Sequence, residues 1–143
     1  MSDLANNAQS WVHTDLGHQV IAAEQATLES VFSHLFGYYL VQIGHPLFGK
    51  VTQSSLVNHR VFVTEIHEGQ PHEGDSIVLA SPEALPIACN SVDVVFLPHI
   101  LENLATPALA LREAYRILRP EGRLVVCGFN PWSLWPRWAR HAQ

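Results

Sequence analysis

Residues Ser81 to Pro131 constrain this chain more than any other stretch, because they spell out two apolar strands joined by a helix. Val92 to Leu97 is one apolar run, broken only by Asp93, and Arg123 to Phe129 (RLVVCGF) is the other. Neither alternates cleanly between apolar and polar, so both faces of each strand are expected to be covered, as in a parallel sheet flanked by helices. Between them, Thr106 and Pro107 make a helix start, with Thr as N-cap and Pro at the first helical position, where its missing N–H costs nothing. Leu111, Ala114, Tyr115 and Leu118 recur at helical spacing and are expected to form the face that packs on the sheet. Pro120, Glu121 and Gly122 then close the helix and turn the chain. The whole reads as a βαβ unit.

The earlier residues supply the rest of such a sheet. Thr14 and Asp15 precede Leu16, Val20, Leu28, Val31, Phe32 and Leu35, apolar positions at helical steps that stop at Gly37. Gly37 to Gly44 (GYYLVQIG) reads as a first strand, Arg60 to Ile66 as a second and Ser76 to Ala80 as a third. The expected fold is therefore α/β, a Rossmann-like, mostly parallel sheet of about five strands with flanking helices. Residues 1–36 are expected to form a helical cap and residues 37–143 the core.

Composition limits what such a domain does. A chain of 143 residues with 48% hydrophobic content can bury a core, and a formal charge of −5 gives it no electrostatic footprint for nucleic acid. No apolar run approaches membrane-spanning length, and MSDLANNAQ has no basic region followed by an apolar core. Cys89 and Cys127 lack metal or redox spacing, so no disulfide framework is expected and the reading is cytoplasmic. His67, Glu68, His72 and Glu73 lie in IHEGQPHEGD, where Gly and Pro separate the pairs and no third histidine follows. An exposed loop, and no metal, is expected there.

Leu85 and Pro86, the SVDVVFLPHILENL block, LREAYRILRPEGRLVV and GFNPWSLW together resemble the type 11 group of class I S-adenosylmethionine-dependent methyltransferases. The likeness is dense from Ser81 to Trp135. It implies S-adenosyl-L-methionine as cofactor and methyl transfer to an unidentified acceptor, with the reactive end of the cofactor at the end of the fourth strand. In the family, the first strand ends in an acidic residue and three closely spaced glycines. Here Gln42 stands at the acidic position and Gly44 is the only glycine retained. His45, Pro46, Leu47 and Phe48 follow, and Pro46 removes a backbone donor. Either the cofactor binds through a modified loop or the site has lost it.

The remaining candidate residues follow from that resemblance. Glu65 stands twenty-one positions beyond Gly44, near the spacing of about 20 at which such folds place a carboxylate on the ribose hydroxyls. It also reads simply as a solvated acid at a strand end. Ser81, Pro82, Glu83, Ala84 and Leu85 form the loop that meets the adenine in the family, and the Ser81 hydroxyl both donates and accepts. Pro98 and His99 follow the fourth strand on the methyl-transfer side. His99 reads either as a packing histidine or as a base for an incoming nucleophile.

Two wider expectations close the reading. A non-catalytic relative, keeping the fold for binding or assembly, is the alternative that the altered glycine loop favours. The family's sheet continues past its fifth strand, so RLVVCGF is expected to be an apolar edge, a template for pairing into a homodimer with Trp132, Trp135 and Trp138 covering the seam.

Overall fold

The computed structural model describes residues 14–44, 49–65 and 75–130. Five parallel strands form one sheet in the order β3-β2-β1-β4-β5. They are β1 (Phe36–Ile43), β2 (Leu56–Thr64), β3 (Asp75–Leu79), β4 (Val92–Pro98) and β5 (Leu118–Cys127). Helix α1 (Asp15–Phe32) precedes the sheet, the short α2 (Gly49–Gln53) links β1 to β2, and α3 (Pro107–Ile117) links β4 to β5 after a 3-10 turn at Leu101–Asn103. The expected Rossmann-like α/β fold is present.

Strand β4 and the carboxyl half of β1 lack alternation because both faces are covered, whereas β5, expected to be covered on both faces, lies at the edge among the described strands and leaves Leu124 and Val126 exposed. On one face Leu40, Val94 and Phe96 pack with Ile21, Leu28 and Phe32 of α1 and with Val51 and Val57. The Phe32 and Phe96 rings meet edge to face at 4.9 Å, the favoured aromatic geometry. On the other face Val41, Ile43, Val63, Val95 and Leu97 pack with Ala114 and Ile117 of α3 and with Leu85. Successive strand residues point to opposite faces, so each central strand feeds two cores.

Several boundaries differ from expectation. Helix α1 ends at Phe32, not at Gly37, and Val31 is exposed. Phe32 seals the helix against Phe96, and a turn of Ser33, His34 and Leu35 delivers the chain to β1. Thr14 caps α1, accepting from the Gly17 N–H at 3.0 Å. Thr106 occupies the N-cap of α3, yet its side chain makes no capping hydrogen bond. The packing face of α3 is Ala110, Ala114 and Ile117, whereas Leu111 and Tyr115 are exposed. Small residues let the helix axis come close to the sheet, which rotates the larger side chains outward.

Strand β5 begins directly after the helix, at Leu118, rather than at Arg123. Val92 pairs with Leu118 and Val94 with Arg123, so Arg119 to Gly122 loop out opposite Asp93 as a wide irregularity. The expected turn at Pro120 to Gly122 is thus contained inside the strand. Strand β2 starts four residues earlier than expected, at Leu56. It holds the edge strand β3 through Arg60 and the buried Asp75 carboxylate, 2.8 Å apart. Pro46 and Phe48, the His67 to Glu73 segment and the tryptophan tail lie outside the described residues. Among the described residues no helix is long and apolar enough to cross a membrane.

Candidate functional site

The strand order reverses between β1, whose chain proceeds outward to β2, and β4, which lies on its other side. Open α/β sheets bind ligands beyond the carboxyl ends of the strands at such a reversal. Gly44 stands there with φ of +123°, a conformation that side-chain-bearing residues rarely adopt. A Cβ on Gly44 would be directed at Ile100, 3.4 Å from its Cβ, and at the Pro98 carbonyl oxygen, 3.5 Å away. Glycine therefore keeps the end of β1 narrow, and its N–H still donates to Val63 O of β2 at 3.0 Å.

Glu65 follows β2 immediately and is exposed, on the strand adjoining β1. The loop after β3 is anchored from both ends. Ala80 N–H donates to Thr64 O at 3.0 Å, and the Ser81 hydroxyl accepts from Glu83 N–H at 3.3 Å. Pro82 is buried, Glu83 half-buried and Ala84 exposed. Leu85 is buried in the α3-side core, and its N–H donates to Glu113 Oε2 at 2.8 Å. Arg116 completes the anchor by donating to Leu85 O at 2.9 Å and Ile87 O at 2.8 Å while pairing with Glu113. Those hydrogen bonds, from Arg116 first and then from Leu85, hold the Glu113 carboxyl down at about 2.

Pro98 ends β4 and is buried. His99 follows with φ of +49° and only 8% exposure. Its ring turns to the α1 face. Nε2–H donates to Glu24 Oε2 at 2.8 Å and Nδ1–H to Glu102 Oε1 at 3.2 Å, with the Cys127 sulfur 3.5 Å from Nε2 and the Phe129 ring tilted against it at 4.5 Å. Burial lowers the pKa of the ring, but hydrogen bonds with Cys127, Glu102 and Glu24, and the Glu24 charge, outweigh it and push it up to about 11. Burial likewise raises Glu102, and the hydrogen bonds from His99 and Phe129 N–H bring it below its ordinary value. A doubly protonated ring donates from both nitrogens, so it has no lone pair with which to take a proton.

Gly44, Glu65, Ser81 and Pro98 thus follow or end strands at the carboxyl edge of the sheet, whereas Leu85 is buried against α3 and the His99 ring faces α1. Sequence reasoning missed the supporting groups. Glu113 and Arg116 were legible as an i,i+3 helical pair, but the backbone they hold is about thirty positions away in sequence. Glu24 is 75 positions from His99, beyond any local pattern. A concavity of about 860 Å³ lies at the opposite, amino-terminal edge between His34, Phe36, Asp93, Arg119 and Glu121. Being at the wrong end of a parallel sheet, it is set aside as a cofactor site.

A family model described as a methyltransferase domain matches residues 36–126. The Escherichia coli protein YafS is 35% identical over 123 residues, covering 86% of this chain and 49% of that protein. The ubiquinone/menaquinone biosynthesis C-methyltransferase UbiE of Pseudoalteromonas translucida is 33% identical over 116 residues, covering 80% and 43%. The chain therefore spans about half the length of these curated relatives. Among solved structures, a putative methyltransferase of Bacillus halodurans superposes with a TM-score of 0.65 at 18% identity, over 78% of this chain and 53% of that one. Phosphoethanolamine N-methyltransferase 1 of Haemonchus contortus, in complex with phosphoethanolamine and S-adenosylhomocysteine, gives 0.61 at 21% identity, over 76% and 26%. By its sequence match and its sheet, this chain belongs to the methyltransferase-domain family of class I methyltransferases.

Proposed function

We infer that this chain carries the S-adenosylmethionine-binding part of a methyltransferase. The observation that carries the reading is the reversal at β1 and β4, where Gly44 in its positive-φ conformation adjoins Pro98 and Ile100 while Glu65 ends the neighbouring strand. These residues fit the cofactor: a bare backbone at the strand end admits close approach, and an exposed carboxylate one strand over accepts hydrogen bonds from a ribose diol. Bound there, S-adenosylmethionine supplies an activated sulfonium methyl, so the protein chiefly aligns the partners and excludes water. Ser81 to Leu85 would flank the adenine, with the Ser81 hydroxyl free to donate while it accepts from Glu83. Glu113 and Arg116 position that loop. Pro98 and Ile100 wall the methyl side, and His99 orients them from behind. The acceptor is left as a nucleophilic carbon, nitrogen, oxygen or sulfur.

Calorimetric titration with S-adenosylmethionine tests this. Binding is expected, weakened by Glu65→Ala about tenfold, as for one lost charge-assisted hydrogen bond. No heat at millimolar ligand would favour instead a non-catalytic relative that keeps the fold for assembly. Two free cysteines fit a reducing, cytoplasmic setting. Leu124 and Val126 are exposed along β5, an edge among the described strands, which supports pairing of this strand with that of a second copy. Sedimentation at micromolar concentration should give a dimer that Val126→Lys dissociates; a monomeric parent protein removes the dimer from the account.

A further inference from the structure

We propose that Glu24, His99 and Cys127 bind one divalent ion of the zinc class where helix α1 meets the carboxyl ends of β4 and β5. The three residues come from separate elements, and their donor atoms lie within 4.8 Å of one another. The Cys127 sulfur and His99 Nε2 are 3.5 Å apart. Zinc bonds of about 2.3 Å to thiolate and about 2.0 Å to imidazole, at a tetrahedral angle, set sulfur and nitrogen about 3.5 Å apart, so this pair already has the required spacing. Glu24 Oε2 stands nearer, 2.8 Å from Nε2. It has to withdraw to about 3.3 Å to admit the ion, and its side chain, 23% exposed, has solvent to move into.

The other ring nitrogen strengthens the assignment. Nδ1 faces Glu102 Oε1 at 3.2 Å, and that oxygen is fixed by the Phe129 N–H at 2.7 Å. An outer carboxylate on the far nitrogen orients metal-binding imidazoles, and Nε2 becomes the ligand atom when the ion displaces its proton, and that of the Cys127 thiol, to solvent. The positive φ of His99 turns the ring toward α1, and strain of this kind persists where surrounding contacts hold it. A charge clamp accounts for Glu24 and Glu102, while Cys127, packed at the rim of the α1-side core, adds a soft donor 3.5 Å from Nε2. One thiolate, one imidazole and one carboxylate suit zinc, whereas magnesium and calcium ask for oxygen shells. Three protein donors leave a fourth position for water or a solute. The site departs from the expectation, drawn from sequence, that the chain holds no metal. None of its three ligands touches the cofactor in the reading above; His99 shares in that site only by holding Pro98 and Ile100 from behind.

Chelator-treated protein titrated with Co²⁺ alone tests the proposal, because a cobalt–thiolate bond gives a near-ultraviolet charge-transfer band. The band is expected to saturate at one ion per chain and to be displaced by equimolar Zn²⁺. The chain has only two cysteines, so a band retained in Cys89→Ser identifies Cys127 without disturbing the site. Glu102→Gln is expected to weaken Co²⁺ binding about 10- to 100-fold while keeping the band. Absence of the band in the parent protein, its loss in Cys89→Ser, or binding indifferent to Glu102→Gln overturns the proposal.

Discussion

Asp93, the single acid inside the fourth strand, replaces backbone pairing with a side chain. Its Oδ2 accepts from the Tyr38 and Tyr39 N–H groups at 2.9 and 3.0 Å, and its Oδ1 accepts from Arg119 at 3.0 Å. The cost falls on Gly37, where a Cβ would sit 2.6 Å from Asp93 Cβ at a φ of +150°. Gly37→Ala is therefore expected to destabilise the fold by about 2 to 4 kcal/mol, read by urea unfolding. Glu113 acts at the same scale. Its folded pKa of about 2 lies below the ordinary 4.5, so its contribution is present above about pH 4.5 and fades as pH falls toward 2. Glu113→Gln should flatten the acid limb of stability between pH 5 and 2, by about 1 kcal/mol at most because the pair is only partly buried and solvent screens it. The same variant should weaken S-adenosylmethionine binding at neutral pH through the Leu85 loop. An unchanged affinity would mean that the loop is held without it.

At the scale of elements, α3 separates what the sequence reveals from what packing decides. Its start at Thr106 and Pro107 was legible, since proline fixes the backbone locally. Its buried face was not, because Leu111 and Tyr115 outrank alanine in any hydrophobic pattern, while close approach to the sheet selects Ala110 and Ala114. Ala114→Leu is accordingly expected to cost about 1 to 3 kcal/mol by overpacking, and Tyr115→Ser to stay within about 0.5 kcal/mol. Equal effects on thermal unfolding would restore the face expected from sequence. The core of β4 was read correctly because burial on both faces writes an unbroken apolar run; β5 carries the same kind of run, yet as the edge among the described strands it leaves Leu124 and Val126 exposed. The β5 boundary escaped because its bulge depends on Asp93 contacts with a different strand. The candidate site divides the same way. Gly44, Glu65 and Ser81 follow strand ends and were legible by position; Glu24 and Cys127 meet His99 only after folding, while Glu102 reaches it locally through the 3-10 turn.

For the whole molecule, function depends on which edge of the sheet the ligand occupies. Parallel strands give the domain a carboxyl edge with Gly44, Glu65, Ser81 and Pro98, and an amino edge with the cleft around His34, Asp93 and Arg119. Only the first lies beyond the carboxyl ends at the reversal of strand order, beside Ile43 and Leu97 of the α3-side core. Amide hydrogen exchange with and without S-adenosylhomocysteine decides between the edges directly. The account predicts slowed exchange at Gly44, Glu65, residues 81–85 and residues 99–100, with no change at residues 34–36 and 119–123. Protection confined to the amino edge, or none at saturating ligand, would contradict it.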